Sequence, residues 1–342
     1  MHLYIRADAD GKIGAGHTMR CIALAQAWKD QGGEVTFISH CESEALKERI
    51  QSEGFRFIAL DNVCPDSSDL KNTLSILKNE NADQKTWLVL DGYHFNPEYQ
   101  KAIRDEGIRL LVIDDINHLP HYHADMLLNQ NIHALNLKYH CDKDTTLLMG
   151  TRYVLLRREF KKWQCWQREI PTVARKVLVT LGGGDPDNVT LKVIQALKQL
   201  NLSGLEAKIV VGPANTNLQI LERETSDHPN LQIITNATNM PELMIWADVA
   251  VSAGGSTCWE MAFLGLPNMI IYFAENQRPI AEELHETGAA LSLGWGQALN
   301  IDAIAENLER LLLSQECRKR YSIKSHEIVD GSGAQRVCRE RI

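Results

Sequence analysis

The chain has 342 residues, 44% of them apolar and 23% charged, with a net charge of −8; this is the composition of a globular protein with one large or two medium domains, and it excludes a disordered chain. Unbroken apolar runs such as 87–90 and 269–273 are far shorter than the roughly 20 residues of a membrane-spanning helix. The acidic balance excludes a nucleic-acid-binding module, which carries a basic patch or a high isoelectric point.

The first residues, Met-His-Leu-Tyr-Ile-Arg, lack a basic stretch followed by an apolar one, so no signal peptide is read and the expected location is the cytoplasm. The eight cysteines are scattered without a Cys-x-x-Cys pair. In that compartment they are expected to be reduced thiols, and a paired-cysteine zinc site is excluded.

In chain order, β-branched apolar runs predict strands over 3–6, 35–39, 57–60, 87–91, 110–114 and 126–129. Helical patterns over 17–31, 43–53, 67–79 and 97–106 separate them. A second series follows, with strands over 177–181, 208–211, 231–234, 249–252 and 268–273. Its helices lie over 187–200, 216–224, 240–247, 257–264, 277–287 and 301–313. The last 25 residues read as helix interrupted by Gly-Ser-Gly at 331–333. Strand–helix alternation of this kind predicts parallel sheets built from βαβ units. The fold class is therefore α/β, with two doubly wound domains: 1–152, a connector over 153–173, and 174–342. A cleft between such domains is where pockets form.

Three strand–loop–helix junctions are rich in glycine: 6–20, 180–186 and 252–260. Glycine lets backbone N–H groups approach a ligand, and the helix N-terminus that follows favours an anion. None of the three fits the Walker pattern or a clean Gly-x-Gly-x-x-Gly, so ATP hydrolysis and nicotinamide chemistry are disfavoured. In the third loop Ser256 and Glu260 are four apart on one helix face. The hydroxyl can bond a phosphate oxygen, and the carboxylate can accept from two ribose hydroxyls. Glu260 has a plainer explanation as an acidic residue complementing the helix dipole.

His17 follows Gly14-Ala15-Gly16 at the start of the first helix, where the dipole disfavours an imidazolium, so a neutral, proton-accepting ring is expected. Asp8 and Asp10 lie near enough in sequence to orient it. The cluster His118, His121 and His123 is read as a surface loop, because no ligand at known spacing accompanies it. Asp114-Asp115 is read as a strand-end turn. No metal and no cofactor are expected.

The opening Arg6, Asp8, Gly14, Gly16, His17, Arg20 and Cys21 resembles the PseG family of UDP-sugar hydrolases in pseudaminic acid biosynthesis, similar in fold to the glycosyltransferase MurG. The resemblance continues through Asp91-Gly-Tyr93, Asp114-Asp115, Leu128-Asn-Gln-Asn131, Gly254-Gly255-Ser256-Thr257 with Glu260, Asn276-Gln277 and Asp330-Gly-Ser-Gly333. It implies a GT-B fold, two Rossmann-like domains facing a cleft. It also implies hydrolysis of UDP-2,4-diacetamido-2,4,6-trideoxy-β-L-altropyranose to UDP and free sugar. In that reading His17 is the general base. Arg6, Asp8, Gly14, Gly16, Arg20, Tyr93, Asn276 and Gln277 line the sugar side, and Gly254, Gly255, Ser256, Thr257 and Glu260 hold UDP. Gly184 departs from the small hydroxyl residue expected after Gly-Gly. The uracil is expected against backbone near 211–215 and 234–237. The partners implied are the UDP-sugar and UDP, with no nucleic acid, no stable membrane insertion and a monomeric state. A GT-B glycosyltransferase using a UDP-sugar donor is the alternative.

Overall fold

A computed structural model describes residues 1–10, 13–62, 66–80, 82 and 85–340. Gly11 and Lys12 of the first glycine loop, and Cys64, lie outside the described residues. The chain forms two compact units: Met1–Arg158 together with the segment from Ser332 onward, and Glu159–Gly331. The expected connector is thus divided between the units. The terminal helix, expected in the second unit, packs in the first.

The first unit holds strands β1 (His2–Ala7), β2 (Glu34–Ser39), β3 (Arg56–Ala59), β4 (Trp87–Asp91), β5 (Arg109–Ile113), β6 (Met126–Asn129) and β7 (Thr146–Met149). They form one parallel sheet in the order β3-β2-β1-β4-β5-β6-β7. Helices α1 (Gly16–Lys29), α2 (Glu44–Ser52), α3 (Asp69–Asn79) and α4 (Pro97–Asp105) complete the βαβ units. A parallel sheet covered on both faces reads as continuous apolar sequence, and β4 (Trp-Leu-Val-Leu-Asp) is buried throughout. Alternate residues serve opposite faces. Leu3, Ile5, Trp87, Val89 and Leu111 enter one core cluster, and Tyr4, Leu88, Leu90, Leu110 and Val112 enter the other.

Helix α1 has ten buried residues, among them Arg20 to Trp28 in an unbroken run. A helix apolar on nearly every side must be enclosed. Here α1 packs on β1 and β2 and on α12 (Gly333–Arg339), whose Ala334, Val337 and Cys338 join the α1 core. Gly333 makes that docking possible, since a Cβ there would stand 2.2 Å from the Val154 carbonyl oxygen.

The second unit holds β8 (Lys176–Thr180), β9 (Glu206–Val211), β10 (Leu231–Thr235), β11 (Val249–Ser252), β12 (Asn268–Tyr272) and β13 (Leu291–Trp295), all parallel, in the order β10-β9-β8-β11-β12-β13. Its helices are α5 (Val189–Gln199), α6 (Leu218–Thr225), α7 (Met240–Trp246), α8 (Thr257–Phe263), α9 (Arg278–Glu286), α10 (Ile301–Leu313) and α11 (Gln315–His326). Arg318 of α11 is fully buried and donates to the carbonyls of Leu311 and Pro171, each at 2.6 Å, clipping the incoming segment to this unit. No helix among the described residues is long and apolar enough to cross a membrane.

Strand order reverses between β1 and β4 in the first unit and between β8 and β11 in the second. In doubly wound sheets the crevice beyond the strand C-termini at such a point is where ligands bind. Except for α11, which starts three residues before the predicted terminal helix and ends at His326, the expected helices and strands recur within one or two residues, but β7 and β13 had no counterpart in the sequence reading. Gly333→Ala is expected to cost about 1–3 kcal/mol, the usual penalty for overpacking. Urea unfolding of the two proteins checks it.

Candidate active site

The first crevice is built from the C-terminal ends of β1 and β4. Gly14 takes φ +74°, a conformation that favours glycine, and turns the chain into α1. Ala15 at the N-cap supplies no side-chain cap. Asp91 is the last residue of β4, in register with Ala7. Its carboxylate meets the first turn of α1, where His17 Nδ1 lies 2.6 Å from Asp91 Oδ1. Arg20, three residues further and so on the same helix face, grips the same carboxylate from Nε (2.7 Å) and Nη2 (2.6 Å). Its Nη1 donates to Asp115 Oδ1 at 2.7 Å. Asn131 Nδ2 donates to that oxygen at 2.6 Å, and the Tyr93 hydroxyl to Asp115 Oδ2 at 2.8 Å.

A carboxylate only accepts, so the 2.6 Å contact places the proton on His17 Nδ1. In the neutral ring this leaves the lone pair on Nε2, which makes no hydrogen bond among the described residues. The ring is 12% exposed, whereas Asp91 is fully buried. Burial works to raise the Asp91 pKa, but the Arg20 guanidinium and His17 outweigh it and hold the carboxyl far below its ordinary range. Asp115 follows the same balance, with burial opposed and beaten by Arg20. Burial would favour a neutral Arg20, yet Asp115 and Asp91 keep it charged.

Asp8 and Asp10 therefore do not orient His17. Asp10 Oδ1 accepts from the Ile13 amide at 2.6 Å. Asp8 pairs with Arg6, which also pairs with Asp69, and accepts from the His40 amide at 2.8 Å. Arg6, Asp8 and Arg20 were expected to touch the sugar. Their side chains are 0%, 0% and 7% exposed and are committed to internal ion pairs, so they are placed to position other groups. One weak signal in the sequence points to the partner of His17: an acid ends the predicted strand over 87–91, and the doubly wound order places that strand beside β1. Nothing comparable marks Asn131 or Asp115 as its support.

Tyr93 stands edge-on to His17, with ring centroids 5.2 Å apart, and to His118 at 5.4 Å. His118 is held at both nitrogens: Nδ1 lies 2.8 Å from Asp114 Oδ1 and Nε2 lies 2.9 Å from the Tyr93 carbonyl. Both partners are acceptors, so only the imidazolium satisfies both. Burial opposes the charge, but the hydrogen bond and attraction of Asp114 prevail and raise the pKa above 6.5. Asp114 also accepts from the hydroxyls of Tyr122 (3.0 Å) and Tyr139 (2.7 Å). Asp114 and Asp115 thus anchor side chains in the crevice wall.

In the second unit β11 and β12 are neighbours, so the loops that follow them adjoin. A Cβ on Gly254 would lie 2.6 Å from the Gln277 carbonyl oxygen. That close approach brings Gly254, Gly255, Ser256 and Thr257 together with Asn276 and Gln277. Gly255 borders open space. Gln277 Oε1 accepts from the Phe273 amide at 3.1 Å and so holds the second loop. Beneath the first loop, Asn268 Nδ2 donates to Ser252 Oγ at 2.8 Å and Cys258 Sγ to the Ala253 carbonyl at 3.2 Å. Glu260 follows on α8, half-buried. The glycine loop after β8 is built differently. The buried Asp185 carboxylate accepts from the amides of Val189 and Thr190, each at 2.8 Å, and so already occupies the start of α5.

The His118 contacts carry a pH dependence. A raised folded pKa gives stability that is fully present below the ordinary value of 6.5 and lost as pH rises through the folded value. The stability gap between the wild type and His118→Gln in urea is expected to be widest in mild acid and to shrink toward alkaline pH. A gap independent of pH would contradict the charged ring.

Residues 177–335 match the family model described as Glycosyltransferase family 28 C-terminal domain. The chain is 27% identical to the spore coat polysaccharide biosynthesis protein SpsG of Bacillus subtilis, over 98% of this chain and 96% of that protein. It is also 27% identical to the Helicobacter pylori pseudaminic acid cytidylyltransferase and UDP-2,4-diacetamido-2,4,6-trideoxy-beta-L-altropyranose hydrolase, over 67% of this chain but 41% of that longer protein. Among solved structures it resembles Acinetobacter baumannii MurG with a TM-score of 0.66 at 15% identity, covering 99% of this chain and 98% of that one. Two parallel-sheet α/β units with these neighbours are a GT-B fold, and the match to the family 28 C-terminal model falls almost wholly in the second unit.

Proposed function

We propose that this protein hydrolyses the anomeric C1–O bond of UDP-2,4-diacetamido-2,4,6-trideoxy-β-L-altropyranose, releasing UDP and the free sugar for pseudaminic acid biosynthesis. The observation that carries the reading is His17, whose Nδ1 is fixed on the buried Asp91 while Nε2 makes no hydrogen bond among the described residues. Such a group can take a proton from water as the oxygen attacks the anomeric carbon, with inversion. The name of the Helicobacter pylori relative supports the choice of substrate.

The chemistry requires little more from side chains. A general base supplies typically 10²- to 10⁴-fold, roughly 3–5.5 kcal/mol. The larger share then falls to stabilising the departing diphosphate through backbone N–H groups and a helix start. We assign this to Gly254, Gly255, Ser256 and Thr257, with Glu260 accepting from the ribose hydroxyls. A diphosphate leaves as a stable anion, so the second, acidic carboxyl of an ordinary inverting glycosidase is dispensable. Tyr93, Asn276 and Gln277 are assigned to the sugar side.

The same fold and family match also suit a glycosyltransferase, in which an acceptor hydroxyl replaces water. Incubation with the UDP-sugar in H₂¹⁸O without acceptor separates the two. Label in the free sugar and none in UDP is expected; no turnover until an acceptor is added would favour the transferase. His17→Asn is expected to lower kcat by about 10²- to 10⁴-fold while leaving UDP affinity close to that of the wild type. Glu260→Ala is expected to weaken UDP binding by roughly 10- to 100-fold, the loss of a charge-assisted hydrogen bond. Calorimetric titration with UDP measures it.

A further inference from the structure

The histidine cluster expected to be a plain surface loop is joined by a residue from another segment. Tyr122 makes a parallel bridge with Cys141, so residues 121–123 run extended beside 140–142. In an extended segment residues i and i+2 share a face. Tyr122, fully buried, turns inward to Asp114, and His121 and His123 share the outer face with Asp142. His121 Nε2 lies 2.9 Å and His123 Nδ1 3.0 Å from the same oxygen, Asp142 Oδ1. The rings stand 4.6 Å apart, and the three ligand atoms lie within 4.8 Å of one another.

We propose that His121, His123 and Asp142 form a binding site for a divalent transition cation of the zinc class. Neighbouring ligands of one tetrahedral zinc ion are separated by about 3.3 Å, given bonds of about 2.0–2.1 Å. The two nitrogen–oxygen separations here need open by only a few tenths of an ångström. To bind the ion each imidazole must present a lone pair on the nitrogen that now faces Asp142, with its proton on the other ring nitrogen. Imidazole with carboxylate selects zinc, cobalt or nickel over magnesium and calcium, which prefer all-oxygen shells.

The surroundings favour a dication. Arg104 of α4 donates to Asp142 Oδ2 (2.6 Å) and Asp144 (2.7 Å), with Asp125 at 3.3 Å. One guanidinium among three carboxylates leaves an excess of two negative charges. By holding Oδ2, Arg104 fixes the carboxylate with Oδ1 toward the histidines, as outer-shell donors do at metal centres. Three protein ligands at a partly exposed position leave the fourth place to water. The bound ion would tie the loop after β5 to the segment before β7.

Cobalt(II) is the probe, added to the intact protein in one equivalent. Ligand-field absorption without a thiolate charge-transfer band is expected, which separates this site from the free cysteines. Added zinc should erase the absorption, and H121A/H123A and D142N should weaken binding by roughly 100-fold or more. UDP-sugar turnover should be retained in these variants. Ring NMR of the wild type, labelled at histidine, should show two rings shifting together on zinc addition, a reading independent of variant folding. A spectrum unchanged in the variants, a thiolate band, or unshifted rings would overturn the site.

Discussion

The candidate site in the first unit depends on the buried cation of Arg20. Arg20 uses one edge of its guanidinium on Asp91 and the other on Asp115; Asp91 ends β4, the strand beside β1, and Asp115 follows β5, the next strand across the sheet. Removing one member of such a buried set typically costs 3–5 kcal/mol, because the remaining charge is left without a partner. The arrangement is also directional. Arg20 holds both oxygens of Asp91, so that carboxylate can meet the His17 ring in only one way. Through Asp115 the same cation fixes the Tyr93 hydroxyl. The His17 ring and the Tyr93 ring are therefore registered to each other by one buried guanidinium.

Two carboxylates surround this one arginine, and the local sum is negative. The orientation of the His17 ring is fixed by the same carboxylate that Arg20 holds. Around Arg6 the arrangement repeats with Asp8 and Asp69, and Tyr99 adds a hydroxyl at 2.7 Å from Asp69. The floor of the crevice thus rests on ion pairs, where most of the sheet rests on apolar packing.

Much of this was legible in the residues. Strands buried on both faces announce themselves as apolar runs, and β4, β6 and β11 begin and end where the sequence places them. The two that escaped, β7 and β13, are edge strands of their sheets. One is Thr-Leu-Leu-Met with two exposed residues; the other contains a glycine and is only half-buried. An edge strand has one neighbour and less to bury, so its pattern is weak. The glycine loops were visible as a class, but not the difference between them. Asp185 sits two residues before the expected helix, and its capping of α5 is a matter of backbone geometry at φ +46° that composition does not encode. Long-range partners were the least visible: Asp91 for His17 lies 74 positions away, and Asp142 lies 19 beyond His123.

The placement of α12 has a consequence for synthesis. Its three buried side chains close the core around α1, yet they leave the ribosome only after all of the second unit. Domains generally fold as they emerge, N-terminal first. Here the unit that begins first is finished last, and it must wait with the flank of α1 uncovered while 173 residues, Glu159–Gly331, are made. Dividing the gene at the boundary near residue 158 would leave that flank bare for good, whereas supplying the last helix in trans could cover it.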